Sequence, residues 1–184
     1  AELEQTLQLY QQNPQQAFCR YPARIRYLSH KLQLPTTGIS EAACSDLQEY
    51  RSKVPFQKLD LVFASEVLSS ASSMMGHIFL KASGTGSKGQ PVAHSLAYFT
   101  EIDTFNPVSL AYDSLIGGMP GFFIVRPFQQ DREQYVEKEQ RNLWSFQLQG
   151  GNEDIELLQL HLWELRGVDI TYYFQSFNCA TLTL

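Results

Sequence analysis

The chain has no apolar run approaching the roughly 18 to 20 residues that a membrane-spanning helix requires. Nor does it have a cluster of Lys and Arg. With 14 basic against 19 acidic residues the net charge is −5, and the sequence pI is near 5.3. That balance leaves no electrostatic footprint for nucleic acid, so none is expected as a partner. No Cys-x-x-Cys or comparable ligand spacing occurs, which argues against a resident metal. The glycine-rich stretch Gly84-Thr-Gly-Ser-Lys-Gly89 fails the spacing of a phosphate-binding loop and reads as a hairpin linker, so no cofactor is expected. Internal repeats and low-complexity segments are missing too. The opening residues, AELEQTLQLYQQNPQQ, lack a basic region followed by an apolar core. Either the chain is cytosolic or a signal peptide has been removed.

What is present is the composition of a folded domain. Of 184 residues, 43% are hydrophobic and 12% aromatic, enough for one domain with a real core or a domain plus a small helical appendage. Three cysteines, Cys19, Cys44 and Cys179, are an odd number. Two lie in the first quarter of the chain in loop-like surroundings, and a Cys19–Cys44 disulfide would leave Cys179 as a single thiol, the usage of an exported protein. Three reduced thiols in a cytosolic protein are the alternative.

Residues 1–55 read as a helical segment. Leu3, Leu7 and Tyr10 recur at helical spacing, Asn13-Pro14 breaks the run, and Ile25, Leu28 and Leu32 mark a second helix that stops before Pro35. Glu41 to Tyr50 adds a short turn of helix around Cys44. Arg20, Arg24 and Arg26 beside Tyr21 and Tyr27 form either an anion site or, as arginines on helices usually do, a solvated or salt-bridged face. From 56 to 184 the period changes. Leu59–Ser65, Ile78–Ala82 and Val92–Phe99 read as strands, and the Gly117–Gly121 cluster as a tight turn into a strand ending at Arg126. Asp131–Asn142 is amphipathic, Leu143–Leu148 alternates as a strand, and Asn152 caps a helix that Gly167 ends. The fold class is therefore α+β, a small antiparallel sheet packed with helices, preceded by the N-terminal helical segment and packed with it as one unit.

The chemistry concentrates in the last dozen residues. Tyr172 and Phe174 alternate, and Ser176-Phe-Asn-Cys179 follows, a strand, a cap and a helix start. With Asn178 as cap, Cys179 lies in the first helical turn, where free N–H groups and the helix dipole stabilise negative charge on sulfur. A buried, inert cysteine fits the same stretch. A thiol nucleophile needs a base and a group that orients the base. His77, at a strand start just after Gly76, suits the first role, and His94 on the neighbouring strand the second. Core histidines bonded to backbone, or a zinc site of two histidines and a cysteine, remain open alternatives. His161 reads as a partly exposed helix position.

Six blocks in one order resemble a known family: Cys19-Arg-Tyr-Pro-Ala-Arg24, Ala71-Ser-Ser-Met-Met-Gly-His-Ile-Phe-Leu80, Gly117-Gly-Met-Pro-Gly121, Glu139-Gln-Arg-Asn-Leu-Trp144, His161-Leu-Trp-Glu-Leu165 and Tyr172-Tyr-Phe-Gln-Ser-Phe-Asn-Cys179. The chain resembles the Lnb-type N-terminal periplasmic domain, a bacterial envelope family connected with lipoprotein N-acylation. That family is similar to a circularly permuted papain-like, NlpC-type fold related to lecithin:retinol acyltransferase. The resemblance implies a periplasmic, monomeric thiol acyltransferase with Cys179 as nucleophile and His77 as base, oriented by His94, Ser95 or a backbone carbonyl. The Cys179 N–H with Asn178 or Ser73 would stabilise the oxyanion. A lipid ester would give a thioester, an amine of a lipoprotein would accept the acyl group, and a membrane surface is an expected partner. Phe122 and Phe123 would then dip into a lipid interface or, as is commoner, fill the core. Two other functions fit the residues, a cysteine amidase or peptidase of cell-wall peptides and a non-catalytic envelope binding module. The chain stops five residues after Cys179, so a longer nucleophile helix is expected to continue beyond Leu184.

Overall fold

Alternating apolar residues build the sheet. In a computed structural model, residues 2–66, 76–100, 106–173 and 175–183 are described. Six strands lie in the order β5-β1-β2-β3-β4-β6: β1 (Lys58–Ala64), β2 (His77–Thr85), β3 (Pro91–Thr100), β4 (Met119–Pro127), β5 (Leu143–Gln147) and β6 (Ile170–Tyr172). Every neighbouring pair is antiparallel. The α+β class read from the sequence is the one observed.

Period-2 alternation gives the sheet two buried faces. Leu59, Leu80, Ala82 and Leu96 point to one side and pack on Leu162 of helix α7 (Asn152–Glu164). Val62, Ala64, Phe79 and Ala97 point to the other and meet Tyr135 and Phe128. Phe128 begins α6 (Phe128–Arg132), and Tyr135 lies in the wider π turn of Glu133–Lys138 that continues it.

Four further helices stack outside α7: α1 (Glu2–Gln12), α2 (Pro14–Arg20), α3 (Pro22–Leu32) and α4 (Ser45–Lys53). The Asn13-Pro14 break is a cap rather than an end, because Asn13 accepts a 3.0 Å bond from the Gln16 N–H and Pro14 opens a second helix. Ala23, Cys44, Leu47, Tyr50 and Val54 share a cluster with Leu160 and Trp163 of α7. So α7 is the middle layer, apolar toward both the sheet and the N-terminal helices. A Cys19–Cys44 disulfide closes a separation of 25 residues beneath this layer. Gln15 braces it, exchanging bonds of 2.7 and 2.8 Å with the backbone of Ser40.

Candidate functional site

The end of the chain is delivered by a tight reversal. After β6, Tyr173 and Phe177 exchange backbone bonds of 3.0 and 3.1 Å as an antiparallel bridge. Asn178 then caps helix α8 (Cys179–Thr183). Its side-chain oxygen accepts from the N–H groups of Ala180 at 2.9 Å and Thr181 at 3.1 Å, while its own N–H donates to the Thr181 hydroxyl at 3.0 Å. Cys179 is therefore the first residue of the helix, as its sequence position implied. It carries a free, half-buried thiol, and α8 packs across β2 and β3. The side-chain oxygen of Asn178 is taken up by the cap.

A polar group that meets this thiol, Tyr172, is one that sequence reading passed over. Tyr172 is buried, and its hydroxyl is pushed up to about 12, first by burial and then by the charge of Cys179; a hydrogen bond from the Cys179 backbone N–H opposes the shift. The phenol thus meets both the sulfur and the N–H of Cys179 and stays protonated at neutral pH. It is positioned by stacking on Tyr98, with ring centres 5.2 Å apart, and Tyr98 in turn donates to the carbonyl of Ile170 at 2.9 Å. Gly121 makes room for that bond, since a Cβ there would run into the Tyr98 hydroxyl and come within 2.8 Å of the same carbonyl. Gly121 is therefore a packing requirement beneath the Tyr98–Tyr172 stack.

His77 opens β2 directly after Gly76, whose φ of +67° is a left-handed conformation natural to glycine. A Cβ at Gly76 would stand 2.8 Å from the Phe63 ring and 3.1 Å from the Ala64 carbonyl. The imidazole lies among Phe99, Phe79 and Tyr135, with ring centres at 4.9, 5.7 and 6.1 Å. Burial among them lowers its pKa to about 4; the Asp131 carboxylate opposes that shift and the Arg126 and Arg141 guanidiniums add to it. His77 is accordingly neutral at pH 7, and its Nε2 is buried with no hydrogen-bond partner.

Beside it lies a charged cluster that the sequence did not single out. Asp131 is only 1% exposed and takes both the Nε and an NH₂ of Arg126. Arg141, also buried, pairs with Glu139 at 2.6 Å and stacks over Tyr135. A charged, amphipathic run such as Asp131–Asn142 reads as a solvent face.

Strand register decides which of the expected residues meet. His94 pairs with Ala82 and Pro127, on the face that carries Leu80, Leu96 and Tyr98. His77 points to the face of Phe79, so the structure does not bring His94 to it as an orienting group. Ser95 shares the face of His77 but pairs with Lys81, four residues farther along β2, and its buried hydroxyl has no hydrogen-bond partner. Tyr172, whose hydroxyl meets Cys179, belongs to the face of Tyr98. Ser73 falls outside the described residues.

The other candidates are settled by their neighbours. Arg24 pairs with Glu164 and Glu2, Arg26 with Glu156, and Arg20 donates to the Tyr21 hydroxyl, so the basic N-terminal segment is an ion-paired face. His161 lines an apolar groove of about 470 Å³ with Leu3, Tyr27 and Leu157. Among the described residues no group of three or more His, Cys, Asp or Glu could hold a metal ion. None of their helices is long and apolar enough to cross a membrane.

Comparison with known proteins gives one match. The family model described as the Lnb N-terminal periplasmic domain covers residues 46–184, from α4 through the sheet to α8. No curated protein and no solved structure matches the chain.

Proposed function

Because the chain belongs to the Lnb N-terminal periplasmic domain family, we propose that it is a cell-envelope thiol acyltransferase that N-acylates lipoproteins. In this scheme the Cys179 sulfur attacks the carbonyl of a lipid ester and a C–S bond forms as the C–O bond breaks. The thiol proton passes to His77 Nε2 and from there to the departing alkoxide. An amine then attacks the thioester, giving an amide and restoring the thiol. The observation that carries this reading is the capped helix start, which leaves the free thiol half-buried at a helix N-terminus with a phenol against it. The Tyr172 hydroxyl and the Cys179 N–H would stabilise the oxyanion.

One property of His77 supports its role as base: its buried Nε2 is bound to nothing. Catalytic hydrogen bonds commonly close only when substrate binds, and here closure would turn the imidazole at the Gly76–His77 junction toward α8. The opposite strand faces of His77 and of Tyr172, whose hydroxyl meets Cys179, favour a second reading, a non-catalytic envelope module in which Cys179 is structural. Acyl transfer from a phospholipid to the N-terminal cysteine of a diacylglyceryl lipopeptide separates the two. Wild-type protein should form the amide, and Cys179→Ala, His77→Ala and His94→Ala should form none, almost none and a nearly normal amount. Full transfer by Cys179→Ala would remove the scheme.

A further inference from the structure

The segment between β3 and β4 carries an apolar stripe over which none of the described residues packs. Helix α5 (Pro107–Tyr112) runs into the π turn Asp113–Gly117. Val108, Tyr112, Leu115 and Ile116 recur at helical spacing along the two. A helix normally turns such a stripe inward, yet here Val108 is 76% exposed, Ile116 67%, and Tyr112 and Leu115 more than half.

The stripe is joined to the candidate site. Gly118, at φ +78°, directly follows it, and a Cβ there would strike the Thr171 side chain and stand 3.0 Å from the Tyr173 ring. Tyr173 pairs with Phe177, itself 52% exposed and two residues before Cys179. Phe123, in contrast, stacks on Tyr98 and belongs to the core. From Asn106 to Val125 the only charged residue is Asp113.

We propose that Val108, Tyr112, Leu115, Ile116 and Phe177 form a docking face that lays the Cys179 end of the sheet on a lipid bilayer. Exposed aliphatic and aromatic side chains on one helix face, next to a site read as acting on lipid esters, suit an interfacial element. The proposal rests on that reading for its choice of bilayer over protein. Charge decides the kind of surface: with no Lys or Arg on the stripe and a net charge of −5, attraction to anionic headgroups contributes nothing, and apolar burial carries the binding.

The test is co-sedimentation of the whole chain with vesicles of phosphatidylcholine, and of phosphatidylglycerol, at low and high salt. Wild-type protein should bind phosphatidylcholine at least as well as phosphatidylglycerol, with little effect of salt. Val108→Ser/Ile116→Ser should lose about tenfold or more in binding, since each removes an apolar side chain from lipid contact. Both positions are exposed, so an unchanged circular dichroism spectrum is expected. A matched pair on the other exposed apolar ladder, Trp144→Ser/Phe146→Ser on the edge strand β5, should bind as wild type. Binding confined to anionic vesicles, equal binding by the Val108/Ile116 variant, or loss in the Trp144/Phe146 pair instead would overturn the assignment. So would a wild-type dimer that the Val108/Ile116 variant dissolves, because the stripe would then be covered by a second copy. Reaction of Cys179 with a water-soluble acyl ester is scored separately, so failure of the chemistry and failure of docking are told apart.

Discussion

The hydroxyl of Tyr172 faces Cys179, close enough that the charge of the cysteine helps hold the phenol near 12. At neutral pH the phenol therefore presents a proton to the sulfur and never a competing negative charge. Tyr172→Phe keeps the stack on Tyr98 and removes only the hydroxyl. Acylation of Cys179 by an ester should slow by about tenfold, the scale of one hydrogen bond to a charged group, while the thermal midpoint changes little. Rates read from intact mass check this, and an unchanged rate would leave Tyr172 a packing residue.

Gly121 sets the floor beneath that pair. Gly121→Ala places a methyl group against the Tyr98 hydroxyl and the Ile170 carbonyl, one a fully buried side chain and the other backbone. Neither yields cheaply, so a loss of about 1 to 3 kcal/mol is expected, read from urea unfolding. Gly150→Ala is the control, because its Cβ would meet nothing nearer than 3.8 Å.

Acid should weaken the fold through His77. The unfolded chain binds its proton near the ordinary value of 6.5, and the folded chain only near 4. The contribution of His77 to stability is thus complete above about pH 6.5 and is lost as pH falls toward 4. His94 and His161, both lowered first by burial, add to the same trend. Comparing unfolding midpoints at pH 7 and pH 5, His77→Phe should show a smaller acid loss than wild type.

The disulfide makes a prediction independent of the chemistry. Replacing Cys19 and Cys44 together by serine opens a loop spanning 25 residues and should cost about 3 kcal/mol. The esterified fraction of Cys179 under native conditions should not change.

Much of this was legible in the sequence because local patterns specified it. The alternation of Leu59–Ala64 and Val92–Phe99 marks strands whatever surrounds them, and the two cysteines at one end left a single thiol at the other. Asn178 before Cys179 announced the cap by side-chain chemistry alone. What could not be read is set by register and burial. A strand pattern does not say that His94 would pair with Ala82 and so point away from His77. Asp131 sits in a run of charges that looks solvent-facing, and only the packing of α6 on β3 and β4 buries it against Arg126. The apolar residues from Val108 to Ile116 lacked a partner segment to reveal that they form a helix with its apolar side outward.

The most direct measurement is the intact mass of the protein after incubation with a short-chain acyl ester, followed by neutral hydroxylamine. A thiol acyltransferase should gain one acyl group on Cys179 that hydroxylamine removes, none in Cys179→Ala, and one formed far more slowly in His77→Ala. A folded wild-type protein that gains no acyl group, or a Cys179→Ala variant that gains the same one, would contradict the account and leave Cys179 a structural residue of an envelope module.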